Sequence, residues 1–307
     1  MAKYLACGNI MSDAIKSSDG TMSSFYMGGP AFFALQGIRL FTKDCKLVSR
    51  VGADYRDSYG KWMDLHGITQ ESVKVFADHC TRHIIEHHAD GDYSSTSYFG
   101  SENMGFLKTH PDEVDSAVSS ETRGIYFAHS QEKVIWKKLG DIKEKHGYKM
   151  MWELEPRVIK EDLEKVMQVI SIPEMFSLNS IEASTLWGIP RDNDEDIINE
   201  LMKLPVEMTL YRVGKRGAYA VTPSTAEFCP MIDISESVDP TGCGNTSTGA
   251  AMWAHTEGYD PRMVVIIANI AAGYNALQKG VYPHITDEVM ADAVRLAERK
   301  CAEIFCG

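Results

Sequence analysis

Val238-Asp239-Pro240-Thr241-Gly242-Cys243-Gly244-Asn245-Thr246-Ser247-Thr248-Gly249-Ala250 is a turn with two glycines that runs into small and apolar residues. The part from Thr246 to His255 reads as a buried helix, in which Gly249, Ala250 and Ala251 permit close packing. The first turn of such a helix has N–H groups without partners and a partial positive charge. Glycine lets the main chain come close to a ligand. The stretch therefore suits a phosphate or a developing anion. On these residues alone, a Gly-x-Gly turn that only joins two elements fits equally well.

A chain of 307 residues can bury a large core and fits one large domain or two modest ones. Asp and Glu number 43 against 31 Lys and Arg, a net charge of −12. That balance argues against nucleic acid as a partner. No apolar run approaches the length of a membrane span, so no membrane partner is expected. Seven cysteines without a Cys-x-x-Cys pair suggest free thiols in a reducing compartment, and the cytoplasm is the expected location. Leu5-Ala6-Cys7 faintly resembles a lipid-attachment site, but with no basic and apolar leader before it, it reads as the first strand.

From the N-terminus, Tyr4 to Met11 reads as one short buried strand, with Asp13 at its C-terminal end, where open α/β sheets place ligand groups. Asp13 serves equally as a turn or cap residue. Gly28-Gly29-Pro30 enters an apolar helix from Ala31 to Leu40. The glycine pair is either a bare turn or a way to bring N–H groups against a substrate hydroxyl. Lys46 to Gly52 is a second strand, and Lys61 to His66 a helix ending at Gly67.

Arg82 to Gly100 differs. Two β-prone runs flank Ala89-Asp90-Gly91-Asp92, and an Asp-Gly turn there signals a hairpin. His79, His83, His87 and His88 crowd the same region, yet they lack a third ligand at a recognised metal spacing. Amid alternating helices and strands, a hairpin reads as a lid. Lid segments are expected at about 14–27 and 80–104.

Beyond it the pattern alternates. Strands are expected at Gly124–Ala128, Lys149–Trp152, Met175–Leu178 and Glu207–Arg212. Helices are expected at Gln131–His146, Ile159–Ile170 and Asp192–Leu204. Ala218–Thr222 and Ala226–Cys229 make a hairpin. Asp260-Pro261 caps a helix that reaches Gln278. Thr286 caps the last helix, whose buried stripe is Val289, Ala293, Leu296 and Ala297. The order implies an α/β fold, a mostly parallel central sheet with helices on both faces. No repeat or linker divides the chain, so a single domain, 1–307, plus a β lid is the economical reading.

These residues together resemble the ribokinase (PfkB) family of small-molecule kinases over essentially the whole chain. The resemblance rests on Gly8 to Asp13, Gly28-Gly29, Val51-Gly52-Ala53-Asp54 with Gly60, Asn179-x-x-Glu182, Gly214-x-x-Gly217 and Asp239-x-Thr241-Gly242-x-Gly244, in that order. It implies a ribokinase-like fold and ATP and Mg²⁺ as cofactors. Asp13, Gly28 and Gly29 would then hold substrate hydroxyls. Asn179 and Glu182 would organise Mg²⁺ and the phosphates, with Asp239 as a second metal-side carboxylate. Gly214 and Gly217 would line the nucleotide, with Asn269 to Gly273 as the later wall of the adenine pocket. Gly242, Cys243 and Gly244 would form the anion hole.

The departures carry information. The family's general base is an Asp at position 245, where this chain has Asn, and a carboxamide takes no proton at neutral pH. General-base catalysis is worth roughly 10² to 10⁴ in rate. The transition state is loose, so Asn245 can still orient the hydroxyl while another group or solvent takes the proton. Helix capping is the plain alternative for Asn245. Met11 and Phe33 stand where ribokinase-like members carry sugar-binding asparagines, although Phe33 is equally a core residue. This favours an acceptor with an apolar or aromatic part, such as a nucleoside. Arg212 replaces a common Thr and serves either the phosphates or an ion pair. Glu153, Glu155 and Arg157 replace an Asp-x-Asn-x-Arg pattern and serve phosphates, metal or salt bridges. The expected activity is ATP-dependent phosphorylation of a hydroxymethyl group on a sugar or nucleoside-like acceptor. The alternative is a catalytically weak relative that binds a ligand or partner and regulates. A homodimer through the lid is expected, because an open lid exposes strand edges.

Overall fold

Tyr4 to Cys7 set the architecture. Side chains alternate across a strand, so Tyr4 and Ala6 enter one apolar cluster while Leu5 and Cys7 enter another on the opposite face. A strand buried on both faces reads as a continuous apolar run. The computed structural model describes residues 2–16, 20–87, 93–129, 131–154 and 160–305.

The strands are β1 (Tyr4–Cys7), β2 (Met11–Lys16), β3 (Tyr26–Gly28), β4 (Cys45–Gly52), β5 (Val73–Ala77), β6 (Thr81–His87), β7 (Tyr93–Ser97), β8 (Gly124–His129), β9 (Lys149–Leu154), β10 (Met175–Asn179), β11 (Met208–Arg212), β12 (Gly217–Val221) and β13 (Ala226–Pro230). The helices are α1 (Pro30–Arg39), α2 (Tyr59–Leu65), α3 (Ser101–Phe106), α4 (Pro111–Ala117), α5 (Lys133–His146), α6 (Asp162–Met167), α7 (Ser180–Trp187), α8 (Asp194–Leu201), α9 (Cys243–Thr256), α10 (Pro261–Asn275) and α11 (Asp287–Phe305).

The central sheet runs β13-β12-β11-β10-β9-β8-β1-β4-β5. Its strands are parallel except for the β12–β13 hairpin, which adds antiparallel to β11. Helices α1, α9, α10 and α11 cover one face, and α4 to α8 the other. The α/β expectation therefore holds. Asp260 caps α10 by accepting from the N–H groups of Arg262 and Met263, as its place before Pro261 predicts. Thr286 Oγ1 likewise accepts the Val289 N–H at the start of α11.

A second sheet, β3-β2-β6-β7, stands apart from the first. β6 and β7 form the expected antiparallel hairpin, and the Asp90-Gly91 turn lies outside the described residues. The lid begins earlier than expected. The single strand anticipated from Tyr4 to Met11 is two, broken at Gly8, where φ is 142°. Met11 opens β2, which pairs with β3 and β6, so Asp13 sits on a lid strand rather than at the end of β1. Alternation in sequence does not reveal which sheet a strand joins. The lid also ends earlier, at Ser97, because Ser101–Phe106 is helical.

Asp54 ties the lid to the central sheet. Its carboxylate accepts the Cys80 N–H at 2.7 Å and pairs with Arg82 at 2.8 Å. A Cβ at Gly52 would collide with the His79–Cys80 backbone, which explains the glycine of that motif. Sequence reading missed β5, α4 and α7, although Asn179-x-x-Glu182 is a capping box that announces α7. Glu155 and Arg157 lie outside the described residues. Among the described residues six cysteines are free, and no helix is long and apolar enough to cross a membrane.

Candidate active site

The lid and the central unit enclose a cavity of about 530 Å³. Asp13 and Ile15 of β2, Tyr26 and Met27 of β3, and Ile85 of β6 form its lid wall. Phe33 of α1, residues 238–241, Lys279 and Gly280 complete it. Asp13 and Asp239 thus share one space. Burial, with the Asp239 carboxylate adding to it, pushes the Asp13 carboxyl up to about 7. His83, its register partner on β6, brings Nδ1 to 3.8 Å of Asp13 Oδ1.

Of the other residues expected on the acceptor side, Met11, Gly28, Gly29 and Phe33, only Phe33 lines the cavity. Gly29 is the N-cap of α1 with φ 94°, and a Cβ there would strike Ile10 and Met11. The Gly28 N–H donates to Tyr59 Oη at 3.3 Å, so it does not face a substrate hydroxyl. Met11 is the register partner of Gly28 and not one of the lining residues. Phe33 is both core, at 3% exposed, and cavity wall. Sequence reading missed Tyr26, Met27, Ile85 and Lys279. The only local signal was that Tyr26 and Met27 precede the glycine pair. Lys279 reaches the site because Gly280, at φ 71°, packs against Met27.

The opening stretch behaves as its residues suggest. Gly242, at φ 83°, is the N-cap of α9, so Cys243, Gly244 and Asn245 are its first three residues. The Asp239 carboxylate accepts the Thr241 N–H at 2.9 Å, and Asn275 Nδ2 donates to Thr241 O at 2.7 Å. These bonds shape the turn that leads into α9. Cys243 directs its thiol to Ala272 O at 3.3 Å, and burial raises that thiol above its ordinary value. Cys243 is thus a packed thiol, and its place in the turn matters through its backbone.

Behind this turn lies a polar chain that the sequence did not connect. Asn245 does not cap the helix. Its Nδ2 lies 3.4 Å from Tyr126 Oη. Tyr126 donates to Glu153 Oε2 at 2.5 Å, and Glu153 Oε1 pairs with Arg212 Nη1 at 2.9 Å. Arg212 Nη2 stands 3.9 Å from Glu182 Oε2. The guanidinium lies against Gly244, where a Cβ would collide with Nη1. Parity explains the meeting. Tyr126, Met151, Met175, Met208 and Leu210 point to the α9 side, so Glu153, Asn179 and Arg212, an even number of residues along from Met151, Met175 and Leu210, do so too. Arg212 is therefore in an ion pair, and the same guanidinium borders the turn at Gly244.

Asn179 Oδ1 accepts the Ile181 and Glu182 N–H groups, and Glu182 Oε2 accepts the Asn179 N–H at 2.7 Å. Burial pushes the Glu182 carboxyl above its ordinary value, against the pull of Arg212 and the Asn179 N–H. The sequence groups Asp239 with Glu182 as metal ligands. In the structure Asp239 is on the cavity wall beside Asp13, and the carboxylate that acts on Glu182 is Glu153. Among the described residues no group of three or more His, Cys, Asp or Glu could hold a metal ion.

The residues expected on the nucleotide side lie on α10 and around the β12–β13 hairpin. Gly214 and Gly217, at φ 64° and 127°, bound a short 3₁₀ turn. A Cβ at Gly217 would collide with Cys229 and Pro230 of β13. Asn269 donates to Cys229 O at 3.2 Å, and Gly273 lets Ile232 and Ile234 approach α10. None of the four lines the cavity shared by Asp13 and Asp239.

A family model described as pfkB family carbohydrate kinase matches residues 1–287. Among solved structures, the nucleoside kinase of Burkholderia thailandensis in complex with inosine superposes with a TM-score of 0.73 at 16% identity, covering 99% of this chain and 97% of that one. The adenosine kinase of Sinorhizobium meliloti gives 0.75 at 18%, covering 96% and 99%. The ribokinase of Arabidopsis thaliana complexed with ribose and ATP gives 0.74 at 17%, covering 97% and 99%.

Proposed function

The chain belongs to the pfkB family of carbohydrate kinases, and from that membership we propose a specific reaction: transfer of the γ-phosphoryl group of ATP to a hydroxymethyl group of an acceptor held beneath the lid. The carrying observation is the shared cavity, in which Asp13 of the lid faces the turn at the N-terminus of α9. Acceptor and phosphate sites then adjoin, and phosphoryl transfer depends mostly on positioning and charge neutralisation.

Each residue has a task in this reading. Ionised Asp13 accepts hydrogen bonds from acceptor hydroxyls. The N–H groups at Gly242 to Gly244 receive the charge that grows on the transferring phosphoryl. Arg212, already against Gly244, adds positive charge there. Gly214, Gly217, Asn269 and Gly273 shape the nucleotide side. Mg²⁺ takes one or two carboxylates plus waters and phosphate oxygens, so Glu182, with Asp239 on the acceptor side, fits it, and the ion would neutralise phosphate charge. The lid excludes water.

The acceptor is nucleoside-like. Ile15, Tyr26, Met27, Phe33, Ile85 and Val238 give the cavity a largely apolar wall. Such a wall leaves the hydroxyls of a simple sugar unpaired. The test is ATP consumption against a panel of sugars and nucleosides. Turnover with a nucleoside is the expected result. ATP binding without turnover on any acceptor would favour the second reading, a regulatory relative, which Asn245 alone supports. The lid's outer strands β3 and β7 are edges suited to pairing two copies, and sedimentation at rising concentration tests the homodimer.

A further inference from the structure

We infer that Tyr126 and Glu153 are positioning residues for Asn245, fixing its amide so that Oδ1 is left to accept the hydrogen of the acceptor's hydroxyl. The inference rests on the kinase reading and extends it to residues behind the site.

The argument is a count of hydrogens. Glu153 is paired with Arg212 at 2.9 Å, and an ionised carboxylate only accepts. Its second oxygen lies 2.5 Å from Tyr126 Oη and therefore takes the phenol's hydrogen. Burial, and after it the Glu153 carboxylate, push the phenol well above its ordinary value, so it keeps that proton. A phenol has one hydrogen, and this one is committed. Its oxygen can then only accept. The Asn245 atom 3.4 Å away must be a donor, which is Nδ2. The orientation of an amide is ambiguous by itself. Here two residues behind it decide the matter.

The same count explains why an amide suits position 245. An Asp there would set a second carboxylate against a phenol oxygen that has no hydrogen to give. Its charge would be opposed by Glu153 across one shared proton. Asn245→Asp, which restores the family's usual residue, is therefore expected to lower turnover. A Gln at 153 removes the competing charge and releases the phenol's hydrogen toward position 245. The effect of Asn245→Asp should then reverse in sign in that background.

The experiment is a double-mutant cycle on one acceptor, read with NMR of the ¹⁵N-labelled protein. Asn245→Asp should reduce kcat roughly tenfold or more, the scale of a misplaced reacting group. Glu153→Gln alone should also reduce kcat, whereas adding Asn245→Asp to it should raise kcat. Tyr126→Phe keeps the ring and should lower kcat without changing the KM for ATP. It should also shift the Asn245 side-chain amide resonances and hasten their exchange. A rise in kcat on Asn245→Asp alone, additive effects in the cycle, or Asn245 resonances indifferent to Tyr126→Phe would each overturn the inference. Wild-type protein that turns over no acceptor, while its Asn245 resonances still respond to Tyr126→Phe, would reject the kinase reading and with it the positioning role, leaving only the orientation.

Discussion

The ring of Phe33 fills the space that a Cβ at Gly242 would need, and it closes the same space at Gly28. Two glycines that suggest ligand contact in the sequence are thus also required by a neighbouring aromatic ring. Gly28 is the cleaner probe, because its φ is not positive. Gly28→Ala should destabilise the fold by about 1–3 kcal/mol through overpacking. Phe33→Ala in the same chain should remove most of that increment. Denaturant midpoints of the two single variants and the double provide the measurement. Strictly additive losses would exclude Phe33 as the cause.

Phe33 should also govern acceptor choice. Phe33→Asn places polar groups on the cavity wall, and the ratio of kcat/KM for a free sugar over a nucleoside should rise by roughly tenfold to hundredfold. An unchanged ratio would detach the apolar wall from specificity.

Asp13 should make stability depend on pH. Its carboxyl is raised from 3.8 to about 7, by burial first and by Asp239 second. Between those values the unfolded chain loses a proton that the folded chain keeps, so stability falls as pH rises. The cost is fully present above pH 7. Asp13→Asn should therefore be the more stable form above pH 7, by up to about 4 kcal/mol, and should match wild type near pH 4. Melting temperatures of both forms from pH 4 to 9 check this, and parallel curves would contradict it. In wild type kcat/KM for the acceptor should rise through pH 7 as the carboxylate forms.

Arg212 is a more demanding position. Its pair with Glu153 is buried, with side chains 14% and 4% exposed. Arg212→Met leaves the carboxylate uncompensated, and a loss of about 3–5 kcal/mol is expected. Arg212→Met with Glu153→Leu should recover most of it. If the single variant unfolds no sooner than wild type on chemical denaturation, the pair has no structural weight. ATP affinity should fall in both variants.

Glu182 both closes a capping box, as the third residue of α7, and is the proposed metal side of the site. Its double role calls for a differential measurement. ATP should raise the melting temperature of wild type much more with Mg²⁺ than with a chelator. Glu182→Gln keeps a side chain able to accept the Asn179 N–H and should shrink that Mg²⁺-dependent increment. An undiminished increment would remove Glu182 from the metal.

Much of the fold was legible because its signals are local. Asp260 before Pro261, Thr286 before α11, and the β-prone runs of β6 and β7 each act through neighbours in sequence. Short apolar runs between helical patterns identified most strands of the central sheet for the same reason. Gly242 announced the turn into α9, since positive φ and helix N-termini leave a mark in residue type. The capping function of Asn179-x-x-Glu182, equally local, passed unread.

The amino-acid sequence by itself determined the α/β alternation, the glycine turn into α9, the lid hairpin and the acidic, apolar and amide substitutions around the site. The tertiary structure alone decided that β2 leaves the central sheet and brings Asp13 into the lid. It alone placed Asp239 beside Asp13, and Lys279 in the same cavity. It alone joined Asn245, Tyr126, Glu153 and Arg212, which lie as far as 119 residues apart within one hydrogen bond. The reason is physical. Periodicity and capping are properties of a few consecutive residues, whereas these contacts follow from strand order and from which face of the sheet each side chain meets. Those are settled only when the whole core packs.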